Sequence, residues 1–513
     1  MYGKYMISTA LCLGMSYGMA GAQDTLRKSA PPMQFHSTLQ QLDRHIKMAP
    51  VEVQPQPVEQ YNIVVDRSEL PADDQGKLTF DASGKAEVPF LIPDTMIIKI
   101  DPNLDRAQID RLIEDYNFEV VEIYDKLGSM QVRADLSAFF TPQLTDNSVN
   151  DTVLRGAVAA IENFQSDPRI VSAAPDLLLR DQDVRNLLRP ADIVSSTETA
   201  AGETADWGLA DIEADQLWDL PHARDGAIFG VMDAGFNRHE DLVFLELLDD
   251  HRIDSHGNHV SGIACGKHNG VGSMGVIPNC FVRPRSGIFF AVEDGGGNIL
   301  PFIVRFSQIL NELNKFVGQY DDIRAYNVSL GYNWRSNFGI NPDAPQNGQW
   351  RTIVQSQGEN LISVLEILQE RGVTLFSAAG NDSTGLADPI DAKFASPFNW
   401  AAITARERGI ATNGVIVEAH DAAGNRAAFS NEAGDISCPG VNIFSTLAVN
   451  GAGAPSGKVY GTMSGTSMAS PYCAAGAVLL QLVRPQHSGP QIVECMKAST
   501  ALLDLLGKSG GAF

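Results

Sequence analysis

Four short apolar runs in the second half of the chain constrain its fold more than any other feature. Each run is apolar on both faces, and helical stretches such as ENLISVLEILQERG separate them; the runs are AIFGVMD, RAYNVSLG, GVTLFSAAGN and NGVIVEA. Strands that are buried on both faces and alternate with helices are typical of a parallel sheet covered by helices on each side. The sequence therefore predicts an α/β domain of three layers over residues 206–513.

Polar residues follow these runs at the points where the strands end. Asp233 closes the first run, Ser329-Leu330-Gly331 closes the second and Asn381 closes the third. Two helical segments begin with further polar groups, one with His256 and the other at Thr466-Ser467. Because ligands of such sheets bind at the carboxyl ends of the strands, we expect these groups to share one edge.

Serine, histidine and aspartate together make nucleophilic acyl transfer possible. A serine hydroxyl is a poor nucleophile near neutral pH, so it needs a base, and the base needs an orienting carboxylate. Ser467 is expected at a helix N-terminus, with Pro471 close to the first turn, where unpaired N–H groups favour a developing anion. Asn381 adds a side-chain donor for a tetrahedral oxyanion.

Four segments of the chain resemble the signatures of the subtilisin-like serine peptidases (subtilases, peptidase S8 family). They occur in that family's order of Asp, His and Ser, and they read DAG at Asp233, HGNHVSG at His256, AAGN ending at Asn381 and GTSMASP at Gly465–Pro471. The resemblance covers residues 206–500 and implies that Asp233 orients the base, His256 is the general base, Ser467 attacks and Asn381 binds the oxyanion.

The same resemblance implies how a substrate is held. One strand would pair with the substrate backbone by β-augmentation, and it consists of Ser329, Leu330 and Gly331. One wall of the pocket for the residue before the scissile bond would consist of Ala378, Ala379 and Gly380. Asp382 would then lie at the rim of that pocket and favour a basic side chain there.

A smaller periodic region precedes the α/β domain. Strand-like runs (TMIIKI, EVVEIY, SMQVRA and RIVSAAPDLLLRD) and two helical patterns follow one another in the order β-α-β-β-α-β. This order is that of the ferredoxin-like split unit, so we predict a small α+β domain over residues 93–182. The region resembles the inhibitory propeptide of the family.

The remaining segments are interpreted as targeting and connecting sequence. Residues 1–22 combine Lys4, an apolar stretch and an Ala-Gly-Ala cleavage site, which is the pattern of a secretory signal peptide. Residues 23–92 are predicted to be a loosely ordered leader and residues 183–205 a linker. We therefore expect a secreted zymogen, extracellular or periplasmic, that removes its propeptide by self-cleavage within 183–206.

The amino-acid composition limits the kinds of partner that the protein can bind. The formal net charge is −24, which argues against nucleic acid because phosphate binding needs a basic surface. No run outside the N-terminal one approaches the roughly 20 apolar residues that a membrane span needs. The expected partners are protein or peptide substrates and the chain's own propeptide, with the enzyme a monomer.

The cysteines and the metal-binding candidates are less specific signals. Five cysteines remain after the predicted signal peptide, and Cys473 with Cys495 is the pairing we expect because both lie on neighbouring helical segments.

We expect the peptide hydrolysis to need no cofactor. The family often holds a structural calcium, and Asp241 and Asn269 are the candidate ligands, together with backbone carbonyls of Lys267, Val271 and Ser273. A plain turn without a metal is the alternative interpretation of this loop.

Some residues depart from the family pattern and keep alternatives open. Ala234 stands where the family has Thr or Ser, and Asn258 stands where it has Thr. A catalytically silent binding protein with the same fold is the main alternative function. His256 and His259 lack the Glu and the third ligand of a zinc peptidase, and the presence of His256 as a base disfavours an acid-active Ser-Glu-Asp peptidase.

Overall fold

The structure is a computed structural model, and thirteen segments of the chain are described. They are residues 62–66, 85–89, 91–139, 151–181, 202–233, 236–245, 255–286, 288–293, 299–319, 322–332, 334–335, 341–449 and 455–505. The predicted signal peptide lies outside these residues, as do most of the predicted leader and most of the predicted linker.

The N-terminal part of the chain is a small α+β unit. Its strands are β1 (Asn62–Asp66), β2 (Lys85–Pro89), β3 (Leu91–Ile100), β4 (Glu119–Tyr124), β5 (Ser129–Arg133) and β6 (Ile170–Asp181), and its helices are α1 (Arg106–Asp115) and α2 (Asp151–Gln165). From β3 onward the order of elements is β-α-β-β-α-β, and the strands lie in the antiparallel order β6–β3–β5–β4. The pair β1–β2 falls inside the segment predicted to be a loosely ordered leader.

The larger part of the chain contains the remaining elements. Its strands are β7 (Glu203–Thr204), β8 (Ala227–Asp233), β9 (Gly272–Ser273), β10 (Cys280–Ser286), β11 (Ile288–Glu293), β12 (Ile299–Arg305), β13 (Ile323–Val328), β14 (Leu330–Gly331), β15 (Thr374–Ala378), β16 (Gly414–His420), β17 (Ile436–Pro439), β18 (Ile443–Val449) and β19 (Pro455–Met463). Its helices are α3 (Trp207–Asp211), α4 (Ala214–Leu217), α5 (His256–Cys265), α6 (Phe306–Gln319), α7 (Gly348–Glu370), α8 (Pro397–Glu407), α9 (Thr466–Val483) and α10 (Gly489–Leu505).

Six of these strands form the central sheet, and all neighbours in it are parallel. Their order is β10–β8–β13–β15–β16–β17. Val328 lies opposite both Met232 and Ser377, so β8, β13 and β15 end at the same level. The register therefore brings the chain segments that follow these strands to one edge, as the sequence predicts.

Helices cover both faces of the central sheet, which makes the domain an α/β structure of three layers. In β8, Phe229 and Val231 enter the core shared with α5 and α9, whereas Met232 enters the core shared with α6, α7 and α8. Burying one such side chain contributes about 1.5–3 kcal/mol. Helix α9 is long and apolar enough to pass a length-and-composition test for a membrane span, but it is buried inside this domain.

The N-terminal unit packs on α6 and α7 of the larger domain. The Asp176 carboxylate accepts the backbone N–H of Ser307 at 2.9 Å, at the first turn of α6, where a negative charge is stabilised by the helix dipole. The Ser129 hydroxyl donates to the Asn360 side chain of α7 at 2.7 Å. Polar contacts and one continuous apolar cluster thus join the two units.

Two disulfides attach helices to the edge strands of the central sheet. Cys265, the last residue of α5, bonds Cys280 at the start of β10, and Cys473 of α9 bonds Cys438 of β17. The expected pairing of Cys473 with Cys495 is wrong, because α9 lies across β17 and brings Cys473 within 5.9 Å of Cys438, measured between the Cα atoms.

We expect removal of the longer disulfide to destabilise the domain more than removal of the shorter one. The sequence separations are 35 residues for Cys438–Cys473 and 15 for Cys265–Cys280. The loop-entropy relation gives stabilisation of about 4 kcal/mol for the first and about 3 kcal/mol for the second. Urea unfolding of the two double-alanine variants, both in a Ser467→Ala background that prevents autolysis, measures the difference, and equal or reversed losses would contradict this account.

Candidate active site

Asp233 and His256 form a buried hydrogen-bonded pair at the edge where the central strands end. Asp233 is the last residue of β8, and His256 is the first residue of α5. His256 Nδ1 lies 2.5 Å from Asp233 Oδ1, and both side chains are fully buried. A carboxylate bonded to Nδ1 keeps the proton on that nitrogen, which leaves Nε2 as the nitrogen that can accept a proton.

Two polar residues that follow His256 on α5, Asn258 and His259, have structural contacts. Asn258 Oδ1 accepts the backbone N–H of Asn237 at 2.8 Å, so it holds the segment that follows Asp233. His259 is fully buried, its Nε2 lies 3.0 Å from the carbonyl of Ile443, and burial lowers its pKa to about 3. His259 is therefore neutral, and its partner is backbone rather than a second catalytic group.

Ser467 is the second residue of α9, at the N-terminus of a helix that packs on α5. Its hydroxyl is buried and makes no hydrogen bond within the described part of the chain. Catalytic hydrogen bonds are often long before substrate binds, so this geometry is compatible with a nucleophile in its resting state. The N-terminal position aims backbone N–H groups and the positive end of the helix dipole at this residue.

Pro471 is the sixth residue of α9 and lies inside the helix, in its second turn. A residue at this position would normally donate its N–H to the carbonyl of Ser467, and proline has no N–H to give. The hydroxyl of Ser329 donates to that carbonyl instead, at 3.3 Å. Because Pro471 leaves the Ser467 carbonyl without its helical donor, the hydrogen bond from Ser329 connects the end of β13 to the backbone of Ser467.

Asn381 is held beside Ser467 by the residue that precedes the serine. Its Oδ1 accepts both the backbone N–H and the hydroxyl of Thr466, each at 2.9 Å. This pairing decides the orientation of the amide: the acceptor oxygen faces Thr466, and the donor Nδ2 lies on the other side. An amide held in this way can stabilise a negative oxygen near Ser467.

The backbone leading into Asn381 has a conformation that glycine adopts easily. Gly380 has φ +102°, and a Cβ there would lie 2.5 Å from Asn431 Nδ2. Its N–H donates to Thr466 Oγ1 at 3.1 Å, which links β15 to the start of α9. Ala378 and Ala379, at the end of β15, are fully buried.

Asp382 does not lie at an exposed pocket rim as expected. Its side chain is only 3 % exposed, its Oδ1 accepts the backbone N–H of Arg335 at 3.0 Å, and burial raises its pKa to about 6. The backbone N–H of Asp382 donates to Asn431 Oδ1 at 3.0 Å, which fixes the main chain at this residue.

The predicted substrate strand is already paired with another segment of this chain. Leu330 and Gly331, which form β14, pair antiparallel with Asp181 and Arg180 at the end of β6. The N-terminal unit therefore adds a strand to β14 in the way that a bound peptide would.

The calcium candidates Asp241 and Asn269 lie together, beside the loop that follows the C-terminal end of α5. Asn269 Nδ2 donates to Asp241 Oδ1 at 3.2 Å, and burial raises the pKa of Asp241 to about 6. Glu203 approaches the same loop, since its Oε1 accepts the N–H groups of Asn269 and Gly270 at 2.7 and 3.0 Å. The described residues contain no group of three or more His, Cys, Asp or Glu side chains that could hold a metal ion.

Sequence reasoning missed Glu203 because this residue falls in the polar segment interpreted as a linker. The strand pair β7–β9, which places Glu203 beside Gly272, is too short to show a periodic pattern. The available signal was the position of Glu203 just ahead of DWGLADIEADQLWD, the segment that resembles the entry to the family's mature domain.

The model of the subtilase family matches residues 225–508. The minor extracellular protease Epr of Bacillus subtilis is 25% identical over 402 residues, which cover 76% of this chain and 52% of that protein. Subtilisin Savinase of Lederbergia lenta is 24% identical over 310 residues, which cover 59% of this chain and 93% of that protein.

Among solved structures, fervidolysin from Fervidobacterium pennivorans, a keratinolytic enzyme related to subtilisin, is similar with a TM-score of 0.47 and 20% identity. That alignment covers 79% of this chain and 57% of fervidolysin. The chain thus spans about half the length of the Epr protease and of fervidolysin.

Proposed function

Since the chain belongs to the subtilase family, we propose that it is a serine endopeptidase in which Ser467, His256 and Asp233 form the catalytic triad. The observation that carries this proposal is the buried 2.5 Å contact between His256 Nδ1 and Asp233 Oδ1, at the sheet edge where the helix of Ser467 begins. The relatives that are named as proteases support the same reaction class.

The proposed reaction passes through an acyl-enzyme. Ser467 Oγ attacks the carbonyl carbon of the scissile bond while His256 Nε2 takes the hydroxyl proton, and Asp233 stabilises the imidazolium that forms. His256 then gives the proton to the leaving amine. Water, deprotonated by His256, attacks the ester, and Ser467 regains its proton as the new carboxylate leaves.

Asn381 is proposed to stabilise the oxyanion of both tetrahedral intermediates. We expect Asn381→Ala to lower kcat by about 10²–10³-fold with a small change in KM, because the amide acts mainly on charge that develops in the transition state. Steady-state kinetics on a peptide substrate measure this loss. Asn425→Ala, which removes the same side chain from an exposed turn, is the matched control and should retain activity. A loss that appeared only in KM would assign Asn381 to substrate binding.

Covalent labelling tests the proposed function most directly. A fluorophosphonate probe should modify Ser467 in the purified processed protein, and Ser467→Ala should abolish the labelling. Absence of labelling, together with retained binding of peptides, would favour a catalytically silent binding protein with the subtilase fold.

The N-terminal unit is proposed to be an inhibitory propeptide of a secreted zymogen. The pairing of Arg180 and Asp181 with β14 supports this role, since it occupies the strand that a substrate would need. Export through a signal peptide at residues 1–22 is part of the same proposal, and it agrees with the name of the extracellular relative.

A structural calcium is proposed at the loop that carries Asp241 and Asn269, with Glu203 as an additional oxygen ligand. The chemistry of these groups fits calcium, which prefers carboxylate and carbonyl oxygens, and a cation would stabilise the buried Asp241 carboxylate. We expect millimolar calcium to raise the Tm of the Ser467→Ala protein and to have little effect on its Asp241→Asn variant. Thermal unfolding with calcium and with EGTA measures this, and an equal response of both proteins would contradict the site.

A further inference from the structure

Asn431 is a fully buried residue in the segment that connects β16 to β17, and its hydrogen bonds lie on both sides of Asn381. Its backbone N–H donates to the carbonyl of Gly380, the residue before Asn381, at 2.9 Å. Its side-chain Oδ1 accepts the backbone N–H of Asp382, the residue after Asn381, at 3.0 Å. One residue therefore fixes the main chain before and after the candidate oxyanion donor.

The side-chain amide of Asn431 makes further close contacts with the same loop. Its Oδ1 also accepts the hydroxyl of Ser383 at 3.0 Å, so both lone pairs of this oxygen are used. Its Nδ2 packs against Gly380, since a Cβ there would lie 2.5 Å from that nitrogen. Because these groups are buried, water cannot replace the side chain, and its removal leaves the N–H of Asp382 without this acceptor.

The segment that carries Asn431 is itself attached to the central sheet. Just before Asn431, the hydroxyl oxygen of Ser430 accepts the backbone N–H of Ala419 in β16, at 3.1 Å. Just after it, the backbone N–H of Glu432 donates to the carbonyl of Ile390 at 2.9 Å. Asn431 thus lies between a strand of the sheet and the loop that follows β15, where a rigid support holds its neighbours in fixed positions.

We propose that Asn431 is a positioning residue for catalysis, which acts by holding the Asn381 amide in place for the oxyanion. Thr466 holds the side chain of Asn381, whereas Asn431 holds the backbone from which that side chain extends. A displacement of about 1 Å in such a group can cost about 10²-fold in rate, because the donor must lie about 3 Å from the developing oxyanion. The inference rests on the proposed peptidase function and assigns Asn431 no contact with the substrate.

Asn431→Ala tests the proposal through the separation of kcat from KM. The variant keeps the backbone bond to Gly380 and loses the side-chain acceptor of the Asp382 N–H. We expect kcat to fall by about 10–10²-fold and KM to stay within about threefold, because the oxyanion develops only in the transition state. A fall in kcat of less than about threefold, or a loss confined to KM, would overturn the proposal.

Rates per active site separate slower chemistry from a loss of folded protein. Fluorophosphonate labelling of Ser467, carried to completion, counts the active sites in each preparation. Asn413→Ala is the matched control, since Asn413 is also buried and its Nδ2 donates to the carbonyl of Val373 at 3.1 Å, at the other end of β15 from Asn381. The control should keep kcat per site within about threefold. Equal losses in the two variants would be a general effect of removing a buried asparagine and would overturn the proposal.

A double-mutant cycle with Asn381→Ala distinguishes positioning of the amide from a general structural role. If Asn431 acts through the Asn381 amide, Asn431→Ala has no donor left to displace in the Asn381→Ala background. It should then change kcat per site by less than about threefold in that background. If the two residues act independently, their losses multiply in the double variant, and this result would overturn the proposal.

The activity of the wild-type protein separates this inference from the proposed function. If wild-type protein is labelled at Ser467 and hydrolyses peptides but the two losses multiply, the peptidase function stands and the role assigned to Asn431 is wrong. If wild-type protein is not labelled and hydrolyses no peptide, the proposed function fails, and the inference fails with it.

Discussion

Replacing Ser467 by alanine is expected to lower kcat by about 10⁶-fold while the domain stays folded. The magnitude is the effect known for subtilisin itself, in which the triad acts as a unit. The side chain is buried and makes no hydrogen bond in the described part of the chain, so its removal should cost little stability. Peptide hydrolysis measures the loss, and circular dichroism checks the fold.

Ser464→Ala is the matched control for this prediction. Ser464 lies three residues before Ser467, and its hydroxyl accepts the backbone N–H of Asn442 at 2.8 Å. Loss of one such hydrogen bond costs about 1 kcal/mol of stability and removes no reacting atom. The control should therefore keep its activity within about tenfold, and comparable losses in the two variants would remove Ser467 from the role of nucleophile.

Asp233→Asn is expected to lower kcat/KM by about 10⁴-fold near neutral pH. This change is close to isosteric, but the amide can donate to His256 Nδ1, and the ring then carries its proton on the wrong nitrogen to act as a base. The amide also leaves the imidazolium without its neighbouring negative charge. Because both side chains are fully buried, water cannot replace the lost carboxylate.

The chain contains a natural control for the Asp233 prediction. His222 and Asp225 form another histidine–aspartate contact, at 2.9 Å, with both side chains more than half exposed. Asp225→Asn should leave kcat/KM unchanged, since exposed pairs contribute little and this one touches no reacting group. A loss of less than about tenfold in Asp233→Asn would show that the buried contact does not orient the base.

Much of the fold could be predicted from local pattern. The four runs apolar on both faces indicate buried parallel strands wherever they occur in a chain, because burial of both faces is a property of each strand and its helical neighbours. The end of a run is also visible in sequence, so Asp233, Asn381 and Ser329 could be expected at one edge. The β-α-β-β-α-β order of the N-terminal unit follows from periodicity in the same way.

Contacts between residues that are distant in sequence could be identified only from the tertiary structure. The pairing of Cys473 with Cys438, rather than with Cys495, depends on how α9 crosses the sheet. The link between Ser329 and the Ser467 carbonyl depends on the end of β13 lying beside the start of α9. Glu203 was assigned to a linker because a strand of two residues has no period to detect.

The sequence by itself thus determined which residue types are present, in what order, and which short elements carry them. The tertiary structure decided which of these elements meet, including the pairing of Arg180 and Asp181 with β14. The physical reason is range: strand and helix patterns arise from neighbours a few residues apart, whereas pairing and packing depend on the free energy of bringing distant segments together.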